Sequence, residues 1–459
     1  MCRILKNIAF ILIALVTVLL SSCSALRMPD TKAENELYRD LDTSDTTNLG
    51  AVPWREIFTD TYLQEMISKA ISNNPDVGIA VARIRKAEAA FRQSTAELFP
   101  SLNAGFNAQY QSKSSTGFGL PELYQLYGST SWEADIFGKL RSARKASLAS
   151  LLGSEAYRRA VLTDLVASVA MNYYALLALD AQLSITRQTL DRRIRNTETM
   201  EVLKQNDVIT GADLVLSQAS RYSAEVSIPD LEQRIYETEN TLSLLMGENP
   251  HPVDRGTLDE QDISAELKTG VPAQLLSNRP DVLQAEYRLR SSYELAKVAR
   301  RSFYPALTVT GRGGLSETSI DALFNAPVFF WNITAGLFQP VFNFGLNRER
   351  YRSSRADMEE SRESFRKVLL NAGAEVTEAL HRYENATEKI AIRGNQIGYL
   401  EKAVEYTTEL LKYTSTTSYI DVLTSEVNLL SAQLAGVNDR LQQLQSVVQL
   451  YQSLGGGWK

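Results

Sequence analysis

The chain carries one long motif twice, and this repeat restricts the folds that it can adopt. Pro75-Asp76-Val77 recurs as Pro280-Asp281-Val282, and Pro100 recurs at the same spacing as Pro305. In each copy the pattern predicts a helix that ends at an aromatic-proline pair, because proline cannot continue a helix. Residues that alternate between apolar and polar follow both breaks. Because repeats of this length mark duplicated structural units, the sequence predicts two tandem halves within one architecture.

Four segments alternate strictly between apolar and polar side chains. They are residues 102–111, 124–136, 307–315 and 328–338. In the first segment, Leu102 and Phe106 share one face of the predicted strand, whereas Asn103 and Asn107 share the other. This pattern, over about ten residues, is typical of tilted transmembrane strands. Half-buried strands of a soluble sandwich are the alternative.

Four strands are too few to form a membrane barrel alone. The smallest single-chain membrane barrels have about eight strands, and an open sheet edge in lipid would leave backbone groups without hydrogen bonds. The chain must therefore oligomerise, and three copies would supply twelve strands. The sequence predicts an α+β membrane protein whose simplest closed form is a homotrimer.

The first residues are typical of a lipoprotein signal peptide. Arg3 and Lys6 precede the apolar stretch 8–20, which is too short to span a bilayer. The sequence Leu20-Ser21-Ser22-Cys23 resembles a bacterial lipobox. We therefore expect Cys23 to carry N-palmitoyl and S-diacylglycerol groups that anchor the chain to outer-membrane lipid. An ordinary signal peptide with a chance cysteine is the alternative.

Two very long segments, 143–205 and 349–412, lack proline and predict continuous helices. Apolar residues recur at seven-residue intervals in the first of them, which is the pattern of a coiled coil. They are Leu162, Val169, Leu176, Leu183 and Leu190. A turn and a return helix follow each long helix, over 212–246 and 419–454 respectively. A coiled-coil rod would explain these heptads but not the alternating strands.

The predicted organisation has four parts. They are a signal peptide over residues 1–22, a lipidated strap over 23–58, a first repeat over 59–270 and a second repeat over 271–459. The second repeat opens with a helix over 280–302, the counterpart of the helix that begins at Pro75.

Several short motifs occur along the whole mature chain in a fixed order. They are Trp54-Arg55, Asn73-Asn74-Pro75-Asp76, Trp132-Glu133 before Asp135 and Phe137-Gly138, Arg279-Pro280-Asp281-Val282, Gln339-Pro340, Asp421-Val422-Leu423 and Gly455-Gly456-Gly457-Trp458. With these motifs and the lipobox, the chain resembles the TolC-like outer-membrane factor family, and within it the NodT-type efflux lipoproteins.

The resemblance implies a homotrimer in the cell outer membrane. Its twelve-stranded β-barrel, with four strands from each chain, would continue into a twelve-helix periplasmic α-barrel. A periplasmic adaptor and an inner-membrane pump of the resistance-nodulation-division class would deliver small molecules such as drugs. The channel itself would conduct them passively to the exterior.

The composition agrees with a channel that performs no chemistry. The chain has only two histidines, His251 and His381, and neither has neighbours at metal-ligand spacing. No motif for a nucleophile or a nucleotide is present, so we expect no enzyme activity, no metal and no cofactor beyond the lipid on Cys23. The formal net charge is −6 without a basic run, which argues against nucleic acid as a partner.

Two other functions are compatible with parts of the sequence. The first is the exit duct of a type I protein secretion system, which would use an ATP-driven transporter. The second is a scaffold lipoprotein without a pore, which the alternating strands disfavour.

The resemblance and the strand pattern each identify candidate functional residues. In the family, acidic residues near the hairpin ends ring the periplasmic entrance, and the matching positions are Asp421, with Tyr413 before the turn, and Asp213. The alternative is that both aspartates merely begin helices. Because the turn 414–418 lacks arginine, we expect closure by packing and hydroxyl contacts. On the strands, the alternation turns Glu133, Asp135 and Arg312 toward the lumen and Trp132 and Trp331 toward lipid.

Overall fold

The computed structural model describes Leu26, Met28 and residues 49–109, 123–261, 278–325, 327–340, 342–413 and 418–458. The predicted signal peptide, Cys23 and most of the strap lie outside the described residues. The helices are α1 (Trp54–Ile57), α2 (Thr61–Asn73), α3 (Pro75–Ala96), α4 (Lys139–Gln205), α5 (Gly211–Leu245), α6 (Pro280–Arg301), α7 (Ile320–Asn325), α8 (Leu346–Tyr413) and α9 (Tyr419–Ser453). The strands are β1 (Ser101–Gln109), β2 (Leu123–Ala134), β3 (Ala306–Glu317) and β4 (Val328–Phe338).

Both long helices begin earlier than their periodicity predicts. The helix α4 begins at Lys139 rather than at residue 143, and α8 begins at Leu346 rather than at residue 349. Gly138 and Gly345 stand just before these helices with φ values of 79° and 81°. Glycine adopts this left-handed conformation at little cost, so the chain turns sharply from strand to helix there. The short helix α7 has no counterpart in the predicted elements.

The four strands form one antiparallel sheet in the order β1-β2-β3-β4, so β2 and β3 join the two halves of the chain. Phe106 lies opposite Leu126. Leu126 in turn lies opposite Leu315, which lies opposite Phe329. Because directly opposed residues share a face, the apolar positions of all four strands line up on one face. The polar positions line up on the other.

The apolar face is exposed within the single chain, and its side chains are large. They include Leu102, Phe106, Leu126, Trp132, Phe329, Trp331, Ile333 and Leu337. Trp132 donates its indole N–H to the Leu98 carbonyl at 3.0 Å, so its one polar atom is satisfied while the ring stays on the apolar face. A contiguous apolar face of this size, left uncovered by the chain, is suited to lipid.

The chain divides into two compact units. The first comprises residues 1–31, 92–148 and 289–362 and contains the sheet. The second comprises residues 32–91, 149–288 and 363–459 and contains most of the helical residues. Among the described helices, only α4 has an apolar window long enough to cross a membrane, and most of that window is buried within the chain, as in a core helix.

The second unit has a packed core along the middle of α4. Its largest fully buried side chains include Tyr173, Leu176, Leu177, Leu242 and Tyr451. Each such burial stabilises the fold by roughly 1.5–3 kcal/mol. The Tyr173 hydroxyl donates to Asp60 Oδ2 at 2.5 Å and accepts from the Gly256 amide at 3.1 Å, which ties α4 to two distant chain segments.

Side-chain contacts give the lateral order of the four long helices. Arg187 of α4 pairs with Glu232 of α5 at 2.6 Å. On its other side, α4 contacts α9, where Gln182 donates to Asn438 at 3.0 Å. The helix α9 contacts α8 through an ion pair of 2.9 Å between Arg393 and Asp439. These contacts connect the helices in the order α5-α4-α9-α8, and α5 and α9 also contact each other directly.

Candidate functional site: pore face and hairpin ends

The polar face of the sheet carries a cation held against aromatic rings. The Arg312 guanidinium lies 3.5 Å from the ring centroid of Tyr127 and 5.7 Å from that of Phe330. It also donates to Gln125 Oε1 at 3.0 Å. Arg312 is the one basic residue in the four described strands. This stacking holds the Arg312 guanidinium against the polar face of the sheet, so that the charge does not project away from the sheet.

Tyr127 and Phe330 lie on the polar face but were not among the predicted pore residues. Alternation alone places Tyr127 between Gln125 and Ser129 on that face, so the signal was present in the sequence. The ring of Tyr127 lies over Gly105, where an added Cβ would come within 2.8 Å of it. Glycine at this position therefore makes room for the ring that supports Arg312.

Glu133 lies on the polar face of the sheet, opposite Thr308. Its carboxylate pairs with Lys139 at 2.7 Å, and both side chains are about one-third exposed, at 31% each. Such a half-exposed pair contributes about 0–1 kcal/mol, but it neutralises the charge that Glu133 would otherwise present. The role of Glu133 in lining a lumen stays a prediction.

Asp135 lies beyond the sheet, because β2 ends at Ala134 and not at residue 136 as the alternation predicts. Its carboxylate accepts hydrogen bonds from the backbone amides of Leu140 at 3.1 Å and Arg141 at 2.9 Å. These amides belong to the first turn of α4, where they have no partner within the helix. The structure therefore places Asp135 at the start of α4, and its lumen-facing role stays a prediction.

The two gate aspartates occupy equivalent positions at the start of the return helices. Asp213 accepts from the Thr210 amide at 3.0 Å and from the Thr210 hydroxyl at 2.6 Å. Asp421 accepts from the Ser418 amide at 2.9 Å and from the Ser418 hydroxyl at 3.1 Å. Each aspartate thus caps a return helix in the first turn. Both aspartates therefore begin helices, which is one of the two roles that the sequence allowed. The same positions are compatible with a role at the periplasmic entrance.

An apolar cluster joins the two hairpin ends beside these aspartates. Met200 of α4 packs with Tyr419 and Val422 of α9, and all three are nearly fully buried. Partly buried residues complete it from all four long helices and the first turn: Leu203, Ile209, Leu214, Leu411 and Leu423. Tyr413, in contrast, is 81% exposed at the end of α8. The structure therefore brings the two hairpins together but leaves Tyr413 outside the cluster.

A buried polar cluster lies next to the apolar cluster, further from the hairpin turns. The sequence did not predict it. Asn196 donates to Glu426 Oε1 at 2.6 Å, and Arg193 donates to the Ser220 carbonyl at 2.6 Å. Arg193 is 4% exposed and Glu426 8% exposed. The signal was a charge within an apolar stripe, because Glu426 falls between Val422 and Leu429 at helical spacing.

Burial dominates the electrostatics of this cluster. It raises the pKa of Glu426 above its ordinary value, against the opposing effects of Arg193, the Asn196 hydrogen bond and Arg192. Burial likewise lowers the pKa of Arg193, although Glu426 favours its charged form. Both pKa shifts indicate that desolvation outweighs the mutual attraction of Arg193 and Glu426.

Metal-ligating side chains do not converge in the described part of the chain. No group of three or more His, Cys, Asp or Glu residues there is arranged to hold a metal ion. The chemical features of the described structure are therefore a two-faced sheet, capped hairpin ends and buried polar groups between helices.

Comparison with known proteins identifies the family. The outer membrane efflux protein family matches the chain over residues 66–248 and again over 271–456. The pyoverdine export outer membrane protein OpmQ of Pseudomonas putida is 30% identical over 418 residues, which cover 88% of both chains. The cation efflux system protein CusC of Escherichia coli O6:H1 is 26% identical over 411 residues, again 88% of both. Among solved structures, the outer-membrane channel OprN has a TM-score of 0.86 and 25% identity, covering 95% of this chain and 99% of that one.

These likenesses confirm four predictions. The fold class is confirmed, with four strands and four long helices from each chain of a homotrimer. The duplication is visible in the two separate family matches. The outer-membrane location and the function as an efflux channel are confirmed as well. The chain is a member of the outer membrane efflux protein family.

Proposed function

We propose that three copies of the chain form the exit duct of a tripartite efflux system. A periplasmic adaptor and a resistance-nodulation-division pump of the inner membrane deliver small molecules, including drugs, and the duct conducts them outward. The observation that carries this proposal is the sheet with one apolar and one polar face in continuous register through both halves. Such a sheet meets lipid on one side and water on the other when it closes into a barrel.

The duct works without catalysis or a cofactor in its conducting path. His251 contacts the Asn249 carbonyl at 2.9 Å and Glu248 at 3.5 Å, and His381 lies on the surface 3.9 Å from Glu384. The Ser243 hydroxyl lies 3.3 Å from His251 Nδ1 and also donates to the Glu239 carbonyl at 2.9 Å. All of these are local contacts at helix ends and helix surfaces. Energy for transport therefore comes from the pump.

We infer that the pump and the adaptor, and not a pocket in this chain, select the cargo. The names of its relatives refer to different cargoes, since one belongs to a cation efflux system and another to pyoverdine export. A shared fold that serves such different molecules fits a duct in which the pump and adaptor decide what enters. For this chain we assign the cargo only as small molecules.

The hairpin ends form the periplasmic gate. Three copies of Asp421 and of Asp213 ring the entrance, and their charges favour cations over anions there. Closure comes from the apolar cluster around Met200, Tyr419 and Val422. The hydroxyls of Thr210 and Ser418, which already contact Asp213 and Asp421 at the starts of the return helices, contribute as well. Tyr413 borders the entrance from the end of α8.

A lipid on Cys23 anchors each chain beside the barrel. Leu26, three residues after Cys23, accepts a hydrogen bond from the Tyr293 hydroxyl at 3.2 Å. Both residues belong to the unit that contains the sheet. Three residues span at most about 11 Å, so an acyl chain on Cys23 starts close to that unit. N-palmitoyl and S-diacylglycerol groups together hold far more strongly than one chain.

Two measurements test the proposed function. The first is drug accumulation in cells that lack the protein, which should rise and return to normal when the gene is restored. The second is affinity purification from cross-linked envelopes with mass spectrometry of the partners. Recovery of an adaptor and a proton-driven pump supports the proposal. Recovery of an ATP-driven exporter assigns the duct to type I secretion, and recovery of neither, with unchanged accumulation, favours the scaffold.

A further inference from the structure

Positive charge is concentrated in the helical residues nearest the sheet. The first ten residues of α4, the last ten of α6 and the first ten of α8 contain eleven Lys or Arg and two Asp or Glu, a net charge of +9. The whole chain, in contrast, has a net charge of −6. We propose that cations on the outer flanks of α4 and α8 bind the phosphate groups of anionic phospholipids in the periplasmic leaflet of the outer membrane. This inference rests on the proposed function, in which the apolar face of the sheet meets lipid.

These helix ends lie where the apolar face of the sheet stops. Because neighbouring strands are antiparallel, the ends of β2 and β4 and the start of β3 lie at one end of the sheet, where the three helices join it. Phe303, Phe342 and Phe344 stand in the connections and are 42%, 78% and 92% exposed. Exposed aromatic residues at the ends of transmembrane strands mark the border between hydrocarbon and headgroups. Since the helices extend into the periplasm, the cations follow at the level of the periplasmic headgroups.

Three cations of α4 share one flank, and that flank is on the lipid side. Arg141, Arg144 and Lys145 are exposed, and residues three or four apart are neighbours on a helix surface. Lys139 comes two residues before Arg141, which corresponds to about 200° around the helix. Lys139 pairs with Glu133 of the polar face at 2.7 Å. The flank that contains Arg141 therefore points away from the polar face.

The helix α6 lies between α4 and α8 beside the sheet. The strand β3, which follows α6, lies between β2 and β4, which precede α4 and α8. Ser142 of α4 donates to Glu294 of α6 at 2.7 Å, and Asn347 of α8 donates to the carbonyl of Ser302, just after α6, at 3.1 Å. The helices α4 and α8 therefore run in the same direction on opposite sides of α6.

The cations of α8 lie on the same side of the helical wall as those of α4. Arg141 comes one residue before the contact residue Ser142, whereas Arg348 comes one residue after the contact residue Asn347. One residue corresponds to about 100° around a helix, so the two flanks are displaced from α6 in opposite rotational senses. For parallel helices on opposite sides of a common neighbour, these flanks face the same way. The exposed cations on this flank of α8 are Arg348, Arg352 and Arg355.

The ion pairs within the chain leave these cations accessible. Arg348 and Arg352 share Glu349 at 3.1 Å each, and Arg141 pairs with Asp135 at 3.2 Å. The three arginine side chains are still 66%, 62% and 63% exposed, respectively. Exposed ion pairs are weak, and a guanidinium has five N–H donors. A phosphate can therefore bind each arginine beside its carboxylate.

The position of the cations on α4 favours an anionic partner. A helix N-terminus disfavours positive charge, yet the first turn of α4 carries Lys139 and Arg141 and no acidic residue. A bound phosphate would offset this repulsion. The long side chains of Arg141 and Lys145 reach toward the headgroups while their methylene groups stay against the protein. Phospholipid phosphates thus match both the charge and the level of the site.

Spin-labelled lipids measure this preference directly. The purified trimer is reconstituted in phosphatidylcholine vesicles with a trace of spin-labelled phosphatidylglycerol or spin-labelled phosphatidylcholine. The fraction of motionally restricted label reports how strongly each lipid associates with the protein. We expect phosphatidylglycerol to associate at least about twofold more strongly at low salt. The preference should disappear at about 1 M salt, where the screening length is about 3 Å.

Two matched variants locate the preference on the protein. The test variant combines Lys145→Gln, Arg348→Gln and Arg352→Gln, and it keeps the contact of Arg141 with Asp135. The control variant combines Arg158→Gln, Arg366→Gln and Lys367→Gln. It removes the same charge from exposed positions of the same helices, about 28 Å or more from their starts. The test variant should lose most of the preference for phosphatidylglycerol, and the control should keep it.

Three results would overturn the inference: equal association of both lipids with the wild type, an unchanged preference in the test variant, or an equal loss in the control. If the test variant does not assemble, Lys145→Gln alone should weaken the preference and Lys367→Gln alone should not. Planar-bilayer conductance of the same preparations separates this inference from the proposed function. A conducting trimer without lipid preference contradicts only the phosphate site, whereas a chain that forms no trimer and does not conduct contradicts the duct itself.

Discussion

Asn196 donates a 2.6 Å hydrogen bond to Glu426, and this contact joins the first long helix to the second return helix. Among the described residues it is the only hydrogen bond to this nearly buried carboxylate, whose other oxygen, Oε2, has no partner there. The nearest charges are Arg192 and Arg193 of α4, and Tyr419 lies on the same helix. From α5 the facing groups are Ser217 and Ser220, which carry no charge.

The Glu426→Gln variant is expected to be more stable than the wild type at neutral pH. Burial raises the pKa of Glu426 in the folded chain, so the ionised form is the disfavoured one. The stabilising contribution of the protonated form is complete below the ordinary carboxyl pKa and is lost as the pH rises through the raised pKa. Glutamine keeps the oxygen that accepts from Asn196 and never ionises.

Thermal unfolding of the purified trimer between pH 4 and 8 measures this difference. The gap between Glu426→Gln and wild type should widen by a few degrees as the pH rises. Glu405→Gln, which removes a charge from an exposed position on α8, serves as the control and should leave the pH profile unchanged. A constant gap across the pH range would contradict the prediction.

Replacing Asp421 by alanine should increase channel conductance or reduce its preference for cations. The substitution removes three negative charges from the ring at the entrance and also removes the caps that hold the return helices. Loss of such a cap destabilises a helix by about 0.5–2 kcal/mol. Planar-bilayer recordings of the trimer, with a salt gradient to obtain the reversal potential, measure both properties.

Ser418→Ala separates the two effects of that substitution. It removes the hydroxyl that contacts Asp421 but keeps the charge. If the aspartate acts by its charge, Ser418→Ala leaves the reversal potential unchanged while Asp421→Ala shifts it. Identical recordings for Asp421→Ala and wild type would exclude Asp421 from the gate.

Spin labels should distinguish the two faces of the sheet. A label at Trp132 or Trp331 is expected to contact lipid and to be relaxed by oxygen, because both side chains lie on the apolar face. Labels at Ser131 and Asn332, on the polar face beside them, should instead respond to a water-soluble nickel chelate. Water-like accessibility at Trp331 would reverse the assignment of lipid and lumen.

The Cys23→Ser variant should lose its acyl chains. We expect it to fail to incorporate labelled palmitate, whereas Cys2→Ser, which changes a residue of the predicted signal peptide, should label normally. Membrane fractionation then shows whether the barrel alone keeps the chain in the outer membrane. Labelling of Cys23→Ser at the wild-type level would show that the lipid is attached elsewhere.

Local patterns in the sequence determined the elements of this protein. The alternation of β1 to β4 depends on neighbouring residues along one strand, and the heptads of α4 depend on residues one or two turns apart. The strands and the coiled-coil pattern were therefore predictable without the fold, as were the repeat and the need for more than one copy. Periodicity placed the start of each long helix a few residues late, because the turns at Gly138 and Gly345 are not part of the periodic pattern.

Only the tertiary structure decided which side chains meet. The sequence did not indicate that Asp135 would cap α4, that Tyr127 and Phe330 would flank Arg312, or that Asn196 would reach Glu426. Each of these relationships joins residues on different strands or helices, or depends on where one element ends. Periodicity assigns a residue to a face of its own element, but the packing of elements decides what that face contacts. Only that packing decides whether a charge such as Glu426 is solvated or buried.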